Sequence, residues 1–359
     1  MTKPSPLFKD LKVIELASVL AGPSVGMFFA ELGAKVIKVE NKNSGGDVTR
    51  SWKLASEDEQ HPFSAYYSSV NWGKESWMLD LKDHEDKQKL LAEIQTADIV
   101  IANFKAGSAA KLGLDYPSLK AMKEDLIYGE ISGFGNSKRI AYDVVLQAES
   151  GFLSMCGEPE GNPVKMPVAL IDLLAAHQLK EGMLLALWQK EKTGQGAKVS
   201  VSLYDSALAA LANQATNYLM AGQIAKPMGT LHPNIAPYGE CFPCKKDELL
   251  VLAVGNDKQF KALCAVLKMP ELATDARFLH NHLRVKNRKA LAERLTEAIQ
   301  TQEREALLTV LIEKDVPAGA VRNMQEVLEA KEAQSSLLQE EKEGSTLSTL
   351  SGNAFEISE

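Results

Sequence analysis

Between Leu11 and Glu40 the chain spells out one complete strand, helix, strand unit, and no other stretch narrows the choice of fold so far. Leu11 to Leu16 reads as a strand, and Ala17 to Gly22 as a loop of small residues. Pro23 stands where a helix takes its first residue. Ser24 to Leu32 continues that helix, Gly33 ends it, and Ala34 to Val39 is a second strand closing on Glu40. Such a βαβ unit of about 30 residues makes its strands parallel, and a parallel sheet must be covered on both faces. The alternation continues. Ser76 to Lys82 is strand-like, residues 84 to 96 form an amphipathic helix, and Ala97 to Ala102 and Leu126 to Ile131 are further strands. The expected fold is α/β, with a Rossmann-like parallel sheet in a large domain and a smaller α+β domain after it. The first turn reads A-G-P-S-V-G, without the G-x-G-x-x-G fingerprint, which argues against a nicotinamide enzyme. Glu40, a lone acid after a strand, reads as a solvated cap.

A second informative stretch runs from Val168 to Leu203. A short apolar run ends at Asp172, and a long helical pattern follows to about Lys192. Thr193-Gly194-Gln195-Gly196 stops it, and Lys198 to Leu203 alternates as a strand. Asp172 is the only charge between Lys165 and Lys180. It reads either as a helix N-cap or as a partly desolvated nucleophile or base. The strand at Ala97 to Ala102 ends on Asn103-Phe-Lys-Ala-Gly107, with Lys111 a helical turn later. An amide, a ring and cations at a strand's C-terminal end suit a base-and-phosphate ligand; a polar loop with solvated lysines is the other reading. Ser132-Gly-Phe-Gly135 offers two glycines free to take positive φ.

After Tyr204 the character changes. Expected divisions are 1–204 (large α/β domain), 205–226 (helical connector), 227–313 (small α+β domain) and 314–359 (return connector and tail). Glu240 to Cys244 and Leu249 to Ala253 read as a hairpin, and the charged tail past Ala330 is expected to be loosely held. With 359 residues, 45% hydrophobic and 24% charged, the chain is an ordinary globular protein. A formal charge of -7 with no long basic block gives no reason to expect nucleic acid. Scattered cysteines (Cys156, Cys241, Cys244, Cys264) point to a reducing compartment. Cys241 and Cys244 lack the further ligands of a zinc site, and packing explains them better. Charge near the start where a signal peptide needs an apolar run, and no span of about 20 apolar residues, lead us to expect a cytoplasmic protein without membrane contact.

Taken in order, several segments resemble the family III CoA-transferases of the CaiB/BaiF type. They are V-I-E-L-A-S-V-L-A-G-P, L-G-A-K-V-I-K-V-E (Leu32 to Glu40), G-D-V-T-R (Gly46 to Arg50), L-D-L-K (Leu79 to Lys82), N-F-K-A-G with L-G-L-D-Y, I-S-G-F-G, T-G-Q-G-A-K-V-S-V-S-L, H-P-N-I-A-P-Y and V-P-A-G. The resemblance reaches to about Arg322. It implies an interlocked homodimer that moves CoA from an acyl-CoA to a free carboxylic acid through an aspartyl anhydride and an aspartyl-CoA thioester. The family's catalytic aspartate falls on Asp172. Its CoA-contacting positions fall on Leu20, Ala21, Asn41, Leu79, Lys82, Asn103, Phe104, Lys105 and Lys111; Tyr142 and Asp143 read either as shaping the acyl pocket or as surface caps. Coenzyme A enters as the acyl-CoA substrate, and no metal is implied. Many members carry arginine where Lys105 and Lys111 stand. Some formyl-CoA-type members have a His at Ser18 and a Gln at Leu20, so this chain departs from an oxalate specialist. Acyl-CoA racemases of the same fold read G-H-D where this chain has Ala141-Tyr142-Asp143, and a tyrosine is a poor base near neutrality. A non-catalytic CoA-binding homologue is disfavoured by the presence of Asp172. Arg50 and Arg139 are guesses for a group that reads the substrate carboxylate, and His177 reads as a packed helix-face residue. The identity of the acids is not legible.

Overall fold

A computed structural model describes residues 7–358; the first six residues, part of the stretch that argued against a signal peptide, lie outside it. The chain divides into two compact units, one formed by residues 1–153, 165–224 and 331–359, the other by 154–164 and 225–330. The division expected from sequence put its boundaries at 204, 226 and 313. Residues 205–224 and the tail from 331 lie in the large unit instead.

The large unit holds a parallel six-stranded sheet in the order β3-β2-β1-β4-β5-β6. Its strands are β1 Lys12–Leu16, β2 Lys35–Asn41, β3 Lys74–Leu79, β4 Ile99–Ala102, β5 Ile127–Ser132 and β6 Lys198–Ser202. Side chains alternate across it. Val13, Ile99 and Ile127 pack under the Ala21–Glu31 and Leu170–Thr193 helices with Val25, Phe29, Ala175, Leu179 and Met183. Their sequence neighbours Ile14, Val100 and Tyr128 face the other way, against Leu90, Ile94 and Leu119. Each such fully buried side chain contributes about 1.5–3 kcal/mol. Gly129 lets the long helix sit close: a Cβ there would stand 3.0 Å from Met183 Sδ.

The small unit pairs β7 Tyr238–Pro243, β8 Leu249–Ala253 and β9 Ala318–Ala320 antiparallel. Its core includes Phe242, Leu250, Phe260, Leu291 and Leu308, with Cys244 and Cys264 buried among them. The expected hairpin is present, with a short 3-10 turn at Lys245–Asp247.

The tail corrects the expectation of loose attachment. β10 Leu337–Lys342 and β11 Ser345–Leu350 form a hairpin on the large unit. Leu347 is fully buried against Phe63 and Tyr67. Lys342 Nζ donates to the Lys74 carbonyl at 2.7 Å, and the Glu343 carboxylate takes two hydrogen bonds of 3.1 Å from Arg50. We expect Leu347→Ala to cost about 2–4 kcal/mol, as cavities of this kind do. Leu350→Ala, at an exposed position on the same strand, should cost less than about 1 kcal/mol. Denaturant midpoints of the two variants check this, and equal losses would contradict the packing.

Candidate functional site

In open sheets of this strand order, ligands sit beyond the carboxyl ends of the strands, where the order reverses. Here the reversal falls between β1 and β4. Two clefts open there. One of about 500 Å3 is lined by Leu16, Val39, Leu79, Leu81, Leu112 and Phe104, with Asn41 and Lys82 on its border. The other, about 440 Å3, is bordered by Val19, Asn103, Lys105, Lys138 and Tyr142. Ser18 and Phe104 border both. The first is mostly apolar, as a heterocycle requires. Among the described residues Lys82 at the first cleft and Lys105 and Lys138 at the second have no carboxylate partner, which leaves cations free there.

The helix Leu170–Thr193 begins two residues before Asp172, and its head is capped from outside. Asp143 Oδ2 accepts the Ile171 N–H at 2.7 Å and the Asp172 N–H at 3.3 Å, while Asp143 Oδ1 accepts from Gln147 Nε2. The N-cap reading of Asp172 therefore fails, because Asp143 does that work. The Asp172 side chain, 8% exposed, makes no hydrogen bond or ion pair among the described residues. Burial, and then the neighbouring Asp143 charge, push its pKa up to about 7. The helix dipole would favour its anion, but the first N–H groups are already taken.

Sequence alone does not single out Tyr66, which lies on the one-turn helix Ala65–Ser68. Burial and the charges of Asp172, Asp143 and Asp47 push its phenol up to about 12, so its hydroxyl stays protonated in the field of those carboxylates. Its ring stands edge-on to Trp52 at 5.1 Å.

Behind the clefts lies a buried ion cluster. Lys38 Nζ reaches Glu15 at 2.9 Å, Asp47 at 3.0 Å and the Ala17 carbonyl at 2.9 Å, and Lys74 pairs with the other Glu15 oxygen at 2.8 Å. Burial lowers the Lys38 pKa, but Glu15 and Asp47 outweigh it and hold the amine above its usual range. Gly26 has to be glycine, because a Cβ there would collide with the Glu15 carboxylate at 1.8 Å. Glu40 is not the solvated cap expected. It is 3% exposed and grips Arg50 through Nε (2.7 Å) and Nη2 (2.8 Å). Arg50 is thereby committed to Glu40 and Glu343, and Arg139 to Glu149, so both guanidinium groups proposed as carboxylate readers already have partners.

Other expected residues fall as follows. Leu79 and Phe104 line the first cleft, and Phe104, Lys105 and Tyr142 the second; Lys111 borders neither. Leu20 and Ala21 are buried, 8% and 5% exposed, and line neither cleft. Asn103 spends its amide on the loop beside it, accepting from Ser18 N–H (3.1 Å) and donating to the Ser18 carbonyl (2.8 Å). Asn41 accepts from the Asn43 N–H. Of the two loop glycines, Gly135 takes a positive φ of 60°, whereas Gly133 packs tightly on Ala141. His177 is exposed. Among the described residues no cluster of His, Cys, Asp and Glu could hold a metal, and no helix is long and apolar enough to cross a membrane.

Comparison with known proteins adds the chemistry of relatives. Residues 8–357 match a family model described as CoA-transferase family III. Over 335 residues the chain is 40% identical to a succinate–glutarate CoA-transferase of Agrobacterium fabrum, covering 91% of this chain and 83% of that protein. It is 37% identical to an acetyl-CoA:oxalate CoA-transferase of Acetobacter aceti (90% and 83% covered) and 35% identical to a succinyl-CoA:glutarate CoA-transferase of Homo sapiens (89% and 72%). The crystal structure of a CaiB/BaiF family protein from Brucella suis superposes with a TM-score of 0.84 at 37% identity, covering 98% of this chain and 93% of that one.

The buried Asp172 carboxyl carries a stability consequence. Between about pH 4 and pH 7 the folded protein holds a proton there that the unfolded chain has released, so its contribution falls as pH rises through that window. Asp172→Asn should therefore stabilise the protein above pH 7, by as much as ~4 kcal/mol, with the gain vanishing below about pH 4. Denaturation midpoints across pH test this, and a difference independent of pH would refute it.

Proposed function

The chain belongs to CoA-transferase family III and is a CoA-transferase, and from that membership we propose that it transfers CoA between carboxylic acids through covalent adducts of Asp172. The observation that carries the proposal is a buried carboxylate without a hydrogen-bond partner at a helix head that Asp143 caps, next in sequence to Tyr142 on the second cleft. In water a carboxylate is a poor nucleophile towards a thioester. Stripped of its hydration and held against the carbonyl, it gains what positioning supplies, an effective molarity of about 10⁵ M or more.

The Asp172 carboxylate attacks the acyl-CoA carbonyl, the C–S bond breaks, and an aspartyl–acyl anhydride and CoA thiolate result. The thiolate then attacks the aspartyl carbonyl, releasing the donor acid and leaving an aspartyl-CoA thioester. An acceptor carboxylate repeats the two steps in reverse, regenerating free Asp172. Each tetrahedral step develops an oxyanion, and main-chain donors are ready for it. The N–H groups of Ala21 and Gly22, at the head of the Ala21–Glu31 helix, have no acceptor among the described residues. Adenosine fits the apolar first cleft, with Lys82, Lys105 and Lys111 as phosphate partners, and the thioester arm runs past Phe104 along the second. Leu20, Ala21, Asn41, Leu79 and Asn103 border that path, and Tyr142 and Asp143 the acyl group. A racemase would need a base where Tyr142 stands.

For the substrates, the relatives named above act on succinate or succinyl-CoA with glutarate, or on acetyl-CoA with oxalate. We take succinyl-CoA as donor and a short dicarboxylic acid as acceptor. Homodimerisation is the accompanying proposal. Leu185, Trp188, Leu219 and Met220 are 67%, 61%, 75% and 86% exposed, a load of apolar surface that a second copy would cover.

Two outcomes are expected. With succinyl-CoA and acceptor acid labelled with oxygen-18 in its carboxylates, turnover should leave label on the peptide containing Asp172. Asp172→Asn should abolish exchange, whereas label absent from that peptide after many turnovers would end the covalent reading. Because only the ionised group attacks, kcat/KM should decline as pH drops below about 7; a rate flat from pH 5 to 8 contradicts the assignment.

A further inference from the structure

Val19 is the only β-branched residue with a left-handed backbone among the described residues, at φ 72°. A branched side chain is sterically unsuited to that region, and such conformations persist where the surroundings over-determine them. Around Val19 they do. The Ala17 carbonyl, two residues before it, is held by Lys38, both main-chain groups of Ser18 are held by Asn103, and the Val19 N–H itself donates to Asp47 Oδ2 at 3.1 Å. Asp47 is 5% exposed and fully engaged: Oδ1 takes the Thr49 N–H (3.0 Å) and hydroxyl (2.8 Å), and Oδ2 also takes Lys38. Although Asp47 borders the first cleft, both of its oxygens are occupied by protein donors.

We propose that Asp47 is a positioning residue for acyl transfer. By holding the Val19 amide it fixes the left-handed turn that carries the chain from β1 into the head of the Ala21–Glu31 helix. That turn sets where Ser18 and Val19 stand at the clefts, and it leads directly into the free N–H groups of Ala21 and Gly22. The Tyr66 phenol lies in the fields of both Asp47 and Asp172, which ties the turn to the same neighbourhood as the proposed nucleophile. The inference rests on the reading of Asp172 given above. A purely structural alternative has Asp47 doing no more than neutralising Lys38.

Glycine separates the two, because it adopts φ 72° without steric penalty and needs no partner to stay there. Asp47→Asn replaces one oxygen facing the Val19 N–H and Lys38 by an amide donor. We expect kcat for CoA exchange to fall roughly 10- to 100-fold, the scale of a small misplacement of reacting groups. Adding Val19→Gly should recover at least about fivefold over the single variant, even though Lys38 still lacks the Asp47 carboxylate. An Asp47→Asn enzyme within about twofold of the parent, or a double variant no faster than the single one, overturns the proposal. Asp172→Asn assayed in parallel keeps the claims apart: full activity there sinks the covalent reading, whereas an active Asp47→Asn beside an inactive Asp172→Asn sinks only the positioning role. Should Asp47→Asn not fold, hydrogen exchange of the parent protein decides. A Val19 amide protected like the strand cores supports the contact, and one exchanging within seconds removes it.

Discussion

A carboxylate kept out of water without a cation beside it is the constraint on which this molecule turns. Helix heads normally neutralise an acid with free N–H groups, and lysine or arginine usually neutralises a buried one. Asp172 has neither. Asp143 occupies the helix head, and the buried cations Lys38, Lys74 and Arg50 are spent on Glu15, Asp47 and Glu40. Among the described residues the buried Glu15, Glu40 and Asp47 are strongly paired with cations and the buried Asp172 is not, a contrast that sets Asp172 apart from the scaffold. Arg50 holds Glu40 down to about 2, while Asp172 rises to about 7.

The paired set has its own task. Glu15, Lys38 and Lys74 come from three adjacent parallel strands, and Glu40, Asp47 and Arg50 from the end of β2 and the loop after it. Cross-linking them below the clefts fixes the loops that a doubly wound sheet leaves free at its carboxyl edge. Isolated buried ion pairs stabilise weakly, because desolvation opposes attraction. What such a network does well is set geometry. Removing one member leaves an unpaired buried charge, so the loops keep one arrangement.

Much of this was legible beforehand because period and charge sparsity are local signals. The βαβ opening showed itself through alternation and through Pro23 and Gly33. Asp172 stood out as a lone charge between Lys165 and Lys180. What stayed hidden depends on long-range partners. Nothing in Val19 announces a left-handed backbone, since its cause is a carboxylate 28 residues away. Tyr66 carries no local pattern, and Glu40 looked solvated because Arg50 is matched to it only in space. The 337–350 hairpin turns a single fully buried leucine inward, too little for a periodicity reading, and its charged residues looked like solvent-facing ones until Arg50 was seen across from Glu343.

That last contact has a bearing on biosynthesis. Arg50 belongs to the loop whose Gly46, Asp47 and Val48 border the first cleft, yet Glu343 is translated 293 residues later. While the polypeptide is still on the ribosome, one edge of this guanidinium faces solvent or a surrogate anion. The anchor of that loop is completed only once residue 343 has been made, so a product truncated before it would carry Asp172 without this clasp.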